Sequence, residues 1–461
     1  MRTQSRRKDQ LVAVAAELFR TRGYHAVGIN DIAGAAGLTG PAVYRHFADK
    51  QTILAEVLLS GVEEMCTATA TALARNGRLA RADLAEDRRP AGAGFAEPGR
   101  PAGAGVAGDG RGAGAGVAGD GRRARDGLAW HGLDALVNAV AAASVDRRDL
   151  AALWRREIRH LAPDQRRAIG RRSRTMLASW VAALCAARPS LTEADASLLC
   201  WAALSVFGSV STHHTTVARP RFVQLIAGVA GRVLGADLPP AAAPVAPPAS
   251  PVLPPSAASP VGPPSAASPV SPAPSAAGPQ SRRAQVLSAA AELFDRHGFH
   301  AVTMDDIGSA VGIAGPSIYR HFPGKQAILY AIARRAADRL ATDVDDAMRG
   351  NASEVAALHR LIASYVRVLT TAPELTVAFS IDTASLDDAE RAELIRVQRD
   401  YVTRWAGLLQ VVRPSLTLRE AKVTTHAALA VANDLARARR FAGRPDLMGD
   451  LRALMAAALD I

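Results

Sequence analysis

The sequence predicts an all-α protein built twice on one plan, a three-helix helix-turn-helix unit followed by a helical-bundle domain, with a Pro/Ala/Ser-rich linker between the copies. Three observations predict it. Setting Phe19 on Phe294 brings "AAELF", "HAV", "DI", "GP", "YRHF" and "KQ" into register at a constant shift of 275 residues. Further along, Trp180 and the "RPSLT" at Arg188 recur as Trp405 and the "RPSLT" at Arg413, and Arg219-Pro220 recurs as Arg444-Pro445, all at a shift of 225. Within the repeated units apolar residues return at helical spacing, the mark of helices packed on one face.

The difference between the shifts, 275 − 225 = 50, is the size of an insert in the first copy. It is visible at residues 77–126, a Gly, Ala and Arg-rich stretch with "AGAGVAGDGR" twice in succession. So few bulky apolar groups do not offset the entropy of ordering, and the insert is expected to be disordered. Residues 239–280 repeat "PPSAASPV" and read as an extended linker. At ~3.1 Å per residue its reach is on the order of 120 Å, enough for the halves to pair in either way. The expected order is a helix-turn-helix unit at 1–48, a connecting helix at 49–76, the insert at 77–126 and a helical regulatory domain at 127–238. After the linker at 239–280, a second helix-turn-helix unit occupies 281–323 and a second helical domain 324–461.

In the first unit Leu11, Ala15, Leu18 and Phe19 share a helical face, and Gly23 follows where a left-handed cap ends a helix. A second helix is expected to start after Asn30 and Asp31, both capping types, and to bury Ile32, Ala35 and Ala36 before the turn at Gly37. The third begins at Pro41, whose missing N–H costs nothing at a first helical position. On it Val43 and Phe47 lie four apart on the buried face, Pro41, Ala42 and Arg45 lie opposite, and Tyr44 and His46 flank them. Small residues let the helix approach a groove. Arg45 suits a guanine edge or a phosphate, Tyr44 and His46 can donate to phosphates, and Lys50 adds a cation. Pro316, Ser317, Tyr319, Arg320, His321 and Lys325 repeat the set. Singly, such residues read more readily as structural aromatics or surface histidines; the duplicated combination favours DNA binding.

"GINDIAGAAGLTGPAVYRHFADKQTIL" and "VTMDDIGSAVGIAGPSIYRHFPGKQAIL" closely resemble the DNA-binding domain of the TetR family of bacterial transcriptional regulators. The resemblance implies a three-helix reading head joined by a fourth helix to an all-helical regulatory domain. That domain would dimerise through its last two helices and bind a small molecule that releases the DNA. Carried over by position, it implies DNA contacts at Thr39, Gly40, Pro41, Ala42, Tyr44 and His46 with Lys50 at a phosphate, and at Ala314, Gly315, Pro316, Ser317, Tyr319, His321 and Lys325. Thr303 stands where the family opens its second helix with a hydroxyl; Gly28 departs from that pattern, a loss offset by the basic arm Arg2, Arg6, Arg7 and Lys8. The tandem arrangement departs too, because family members usually pair two chains across a palindromic operator. An intrachain pseudo-dimer is therefore expected, a homodimer of tandem chains being the alternative.

In the regulatory halves, Trp154, Phe207 and His213, with Tyr365, Phe379, His426 and Asn433, are the candidates for lining a ligand pocket. Aromatics at helical spacing are more often core, and Trp180 and Trp405, at equivalent places, read as packing. His426 stands where the first copy has Trp201, so the two pockets should differ, with one competent sensor and one structural partner.

The formal charge of +12 and pI near 10.4 favour an anionic partner, double-stranded DNA above all, though an arginine-rich composition also follows from a GC-rich genome. Cys66, Cys185 and Cys200 have neither zinc nor disulfide spacing, no apolar run is long enough to span a membrane, and "MRTQSRRKDQLVAVAAELFR" lacks a cleavage site. A cytoplasmic protein without membrane association is expected. No phosphate-binding loop, metal-ligand pair or nucleophile elbow is present, so neither enzymatic activity nor a cofactor or metal is expected. The reading is a sequence-specific transcriptional regulator, a repressor answering to an unknown small-molecule effector. The alternatives are a nonspecific architectural DNA-binding protein, or a TetR-like protein with one inactive sensor domain.

Overall fold

The computed structural model describes residues 2–86, 116–148, 153, 157–240, 281–313, 315–349, 353–372, 374–375, 377 and 386–461. Trp154, Ala314 and Phe379 lie outside them, as do residues 87–115 of the insert and 241–280 of the linker. The described residues are helical throughout, without a strand.

The first copy consists of α1 (Arg2–Arg22), α2 (Ile29–Ala35), α3 (Gly40–Tyr44), α4 (Lys50–Glu86), α5 (Gly116–Asp146), α6 (Pro163–Ala187), α7 (Glu193–Ser209) and α8 (Arg219–Gly235). The second repeats the order as α9 (Arg282–His297), α10 (Met304–Ala310), α11 (Gly315–Ile318), α12 (Lys325–Met348), α13 (Glu354–Thr371), α14 (Asp388–Val412), α15 (Leu418–Arg437) and α16 (Leu447–Leu459). Helix α4 continues past the expected end at 76 to Glu86, and α5 begins at Gly116, so both ends of the segment expected to be disordered are helical.

Each reading head has its own small core. In the first, Leu11, Ala15 and Phe19 of α1 pack on Ile32, Val43, Phe47, Ile53 and Leu54. Gly23, at φ 81°, ends α1 by giving its N–H to the Phe19 carbonyl at 3.0 Å. The second helix starts earlier than expected. Its cap is Gly28, and Asp31 sits three residues in, with Oδ2 accepting the Gly28 N–H at 2.7 Å. Asp31 therefore closes the cap from inside the helix instead of opening it, which shifts the buried pair to Ile32 and Ala33 and leaves Ala35 exposed. The turn between α2 and α3 needs a left-handed residue, met by Gly37 at φ 68° and by Gly312 at φ 67°.

The two regulatory halves share one continuous core. Trp180 and Trp405 are fully buried in their respective halves, as packing residues. Helices α7 and α8 of the first half pack on α15 and α16 of the second. Ala196, Ala202 and Ala203 of α7 and Ala421, Ala427 and Ala428 of α15 have no exposed surface, and side chains this small let helix axes approach closely. Polar contacts fix the register. Arg221 Nε donates to Glu420 Oε1, and Arg444 donates to Asp195 Oδ1 at 2.7 Å and to Asp450 Oδ2 at 2.6 Å. Arg232 of α8 donates to the carbonyls of Ala457 and Ala458 at 3.1 and 3.0 Å, satisfying the open C-terminal end of α16.

Candidate DNA interface

On α3 the buried face is Val43, followed by Phe47 just beyond the helix, while Pro41, Tyr44 and Arg45 are exposed and Ala42 and His46 half-buried. Tyr44 is 57% exposed and Tyr319 54%, the same presentation at equivalent positions of the two heads. Arg45 and Arg320 are exposed, and their guanidinium groups have no hydrogen-bond or ion-pair partner among the described residues. Thr39 caps α3, so its backbone is fixed, and a Cβ on Gly40 would sit 2.6 Å from Asn30 Oδ1. Gly40 is thus held by the packing of α3 on α2. In the second head Ile318 and Phe322 are buried, Tyr319 and Arg320 exposed, and Ser317 and His321 half-buried, the same presentation. Ala314 lies outside the described residues, and Gly315 and Pro316 open α11.

Lys50 was expected at a phosphate, and its ammonium has a prior engagement. Nζ donates to the carbonyls of Tyr24 and Val27 at 2.9 Å each and lies 4.3 Å from the centre of the Tyr24 ring. Lys325 repeats this with His300 and Val302 carbonyls, at 3.3 and 2.7 Å, over Phe299 at 4.6 Å. An ammonium has three protons, so Lys50 ties the α1–α2 turn, and Lys325 the α9–α10 turn, to the start of the helix that follows the head, and each keeps one proton for an outside acceptor. Burial pushes the Lys325 ammonium down from its ordinary value.

The heads differ at the start of their second helices. Thr303 Oγ1 accepts the Asp306 N–H at 3.1 Å while Asp306 Oδ2 accepts the Thr303 N–H at 2.8 Å, a reciprocal cap. The Thr303 hydroxyl, donating to Asp306 Oδ2 at 2.7 Å, and then the Thr303 N–H hold the Asp306 carboxyl below its usual range. At Gly28 only the second of these bonds exists.

One set of residues escaped the sequence reading. Tyr24 stacks on His160 at 5.2 Å, His25 meets the same ring edge-on at 4.5 Å, and Gln51 Nε2 donates to the His160 carbonyl at 2.5 Å. Leu153, Leu161 and Ile169 complete the core of the first head. The segment between α5 and α6 is therefore part of the reading head, a link over more than a hundred residues that no local pattern announces. In the second copy Val377 and Leu386 join the core of the second head in the same way, and Glu393 of α14 binds Tyr330 and Arg334 of α12.

The residues expected to line a ligand pocket divide into four groups. Trp154 and Phe379 lie outside the described residues. Phe207 packs edge-on against Trp180 at 5.7 Å, 1% exposed, inside the first half. His213 and His426 stack on each other at 4.6 Å across the interface between the halves. Only Tyr365 and Asn433 come together as a polar pair, Tyr365 donating to Asn433 Oδ1 at 2.9 Å. Tyr365 also meets Tyr401 at 6.4 Å and Trp405 at 6.2 Å, and Asp343 Oδ2 is buried without a partner. Burial raises both tyrosine hydroxyls above their ordinary range.

Comparison with known proteins agrees with this geometry. A family model for bacterial regulatory proteins of the tetR family matches residues 11–57 and 286–332. The chain is 40% identical over 68 residues to the HTH-type transcriptional activator FasR of Mycolicibacterium smegmatis, a stretch covering 15% of this chain and 31% of that one. It is 26% identical over 134 residues to the HTH-type transcriptional repressor KstR2 of Rhodococcus jostii, 29% of this chain and 66% of that one. In both cases the match spans under two thirds of the relative's length. Among solved structures, the TetR family regulator PfmR of Thermus thermophilus is 23% identical with a TM-score of 0.34, covering 38% of this chain and 97% of its own. KstR2 of Mycobacterium tuberculosis is 21% identical with a TM-score of 0.34, covering 39% and 94%. With both family matches falling on equivalent helices that present the same exposed tyrosine and arginine beside a half-buried histidine, the chain belongs to the TetR family of bacterial regulatory proteins, as a tandem duplication of its module.

Proposed function

We propose that this protein is a sequence-specific DNA-binding transcriptional repressor acting in the cytoplasm, in which the two modules of one chain form a pseudo-dimer on an inverted-repeat operator. The observation that carries the reading is the pairing of α7 and α8 with α15 and α16 within one chain, each half bearing a head with the same Tyr-Arg-His cluster, its tyrosine and arginine exposed. The contact set is Thr39, Pro41, Ala42, Tyr44, Arg45, His46 and their counterparts in the second head, with Thr303, Lys50 and Lys325 at the backbone. Tyrosine, histidine and lysine hold phosphates while the small residues and Arg45 or Arg320 reach base edges. The domain limits follow the helices, with the heads ending before α4 and α12.

The effector is a small molecule, and the reading assigns its site to the second half. There Tyr365, Tyr401, Asn433 and the unpaired Asp343 carboxylate oxygen supply polar groups among apolar walls. In the first half Phe207, in the place of Ala432, packs against Trp180, and no such polar set is present there among the described candidates. Selection of bound sequences from a random DNA library with the full chain, followed by footprinting, tests the proposal: one chain should protect one inverted repeat. The charge of +12 also suits a nonspecific architectural role, which predicts no enriched sequence and a steep loss of binding with salt.

A further inference from the structure

We infer that the operator has a direction: its half-sites differ at the base pair under residues 42 and 317, and the first and second heads take them in a fixed order. The inference rests on the proposed DNA reading and goes beyond it by naming what distinguishes the half-sites.

Two independent features carry it. The first is that unlike halves fit each other and like halves do not. Trp201 meets Phe441 at 6.4 Å and lies under the Arg440 guanidinium at 4.2 Å, and His426, at the equivalent place in the second half, stacks on His213. Shifting by 225 residues shows what a like pairing would do. Two first halves would set Trp201 against Thr215 and Thr216 in place of Arg440 and Phe441. Two second halves would set His426 against Ala438 in place of His213, and Glu420 against Asp446 in place of Arg221, one carboxylate facing another. Each like pairing loses an aromatic contact, and one places a carboxylate beside Glu420 where Arg221 stood. Any assembly on DNA therefore presents one head of each kind.

The second feature is that the heads are not chemically equal where they face the groove. Ala42 and Ser317 occupy the same half-buried place on α3 and α11, one residue before the buried Val43 and Ile318. A methyl group there suits the methyl of thymine, whereas a hydroxyl donates to or accepts from a base edge. Thr39 and Ala314 exchange hydroxyl for methyl in the opposite sense three residues earlier in the sequence. The basic residue entering from the first helix differs as well. Lys8 is tied to Glu56 at 2.5 Å, while Arg283 donates to the His321 carbonyl at 2.7 Å and lies 4.1 Å from the Phe322 ring centre. Identical half-sites cannot be optimal for both heads.

The test uses the full chain and the operator found by selection, together with two perfect palindromes built from its left and right halves. The selected sequence should bind more tightly than either palindrome by about five-fold to a hundred-fold, the effect of one unsuited base pair. Ala42→Ser should move the preference toward the palindrome of the second head's half-site, and Ser317→Ala toward the other. Each variant carries a residue that the other copy already holds at that place, so folding is not at issue. An iron chelate on the amino terminus, beside the first head, should cut the DNA near one half-site only. Equal affinity for all three sequences, with cutting at both ends, would overturn the inference while leaving the repressor reading intact. Absence of any selected sequence removes that reading itself.

Discussion

Glu420 stands in α15 at the place that Asp195 holds in α7, and each accepts an arginine from the opposite half: Arg221 reaches Glu420 and Arg444 reaches Asp195. The carboxylates are related by the duplication but the arginines are not, since Arg444 recurs from Arg219 and Arg221 stands where the second copy has Asp446, and the surroundings of the two pairs differ. Arg444 is 18% exposed and also holds Asp450, 4% exposed, whereas Arg221 is 45% exposed. Removing Arg444 leaves two carboxylates in a partly dry site without their cation. Arg444→Ala should cost about 2 kcal/mol, read as a lowered denaturant midpoint, and Arg221→Ala under about 1 kcal/mol because water already screens that pair. Equal losses would show that burial does not set the strength of these contacts.

The stacked histidines make the interface sensitive to acid. His213 Nδ1 accepts the Thr215 N–H at 3.2 Å, which fixes the neutral ring with its proton on Nε2, buried and unpartnered. Burial, then His426 and Arg148, holds His213 down to about 2, and burial with Lys422 holds His426 down to about 4. Both folded values lie below the 6.5 of a free imidazole, so the unfolded chain takes up protons first as pH falls. Stability is therefore undiminished above pH 6.5 and declines below it, by about 3 kcal/mol for His426 by pH 4. His426→Gln should flatten the stability profile between pH 6.5 and 4. An unchanged slope there would assign acid sensitivity to other groups.

The reading heads were legible because their information is local. Val43 and Phe47 lie four apart, and the same pattern recurs at a fixed shift, so the buried and exposed faces of α3 follow from the helical period alone. The start of α2 was misplaced because Gly28 has no side chain to announce a cap, and Asp31, a capping type, works from the inside. Lys50 was assigned to DNA by type, whereas its two carbonyl partners come from a turn that sequence does not orient. The His213–His426 stack was beyond reach for another reason. The two residues are not equivalent under the duplication, so neither repeat nor period points from one to the other.

Tyr44 and Tyr319 are exposed enough that their loss should not disturb the cores beneath them. Tyr44→Ala with Tyr319→Ala is expected to change stability by no more than about 0.5 kcal/mol. The same double variant should abolish specific binding to the selected operator. Retained affinity would remove both tyrosines from the contact set.

Gly28→Thr gives the first head the reciprocal cap that Thr303 gives the second. A threonine in place of glycine at a cap is worth a few tenths of a kcal/mol, about the limit of a thermal shift. The larger expected effect is on DNA, because the added hydroxyl sits at the exposed start of α2 and offers a phosphate contact. Affinity for the selected operator should rise a few-fold, with footprints strengthened over the first head's half-site. Stability raised without any gain in affinity would confine residue 28 to capping.

The assignment of the effector to the second half separates two substitutions that would otherwise look alike. Tyr365→Phe removes a hydroxyl and leaves Asn433 Oδ1 buried without its donor, at a cost of about 1–3 kcal/mol. Phe207→Leu, on the opposite side of the pseudo-symmetry, trims an apolar ring packed on Trp180, and a core truncation of that kind also costs on the order of 1 kcal/mol. Both proteins should fold and bind operator. Release of operator by an effector found from a metabolite screen should weaken at least ten-fold in Tyr365→Phe, since a site built to bond a polar group loses most when that bond is gone. It should be unchanged in Phe207→Leu, whose side chain fills the first half. The reverse pattern would place the sensor in the first half and make Tyr365 and Asn433 part of the packing alone.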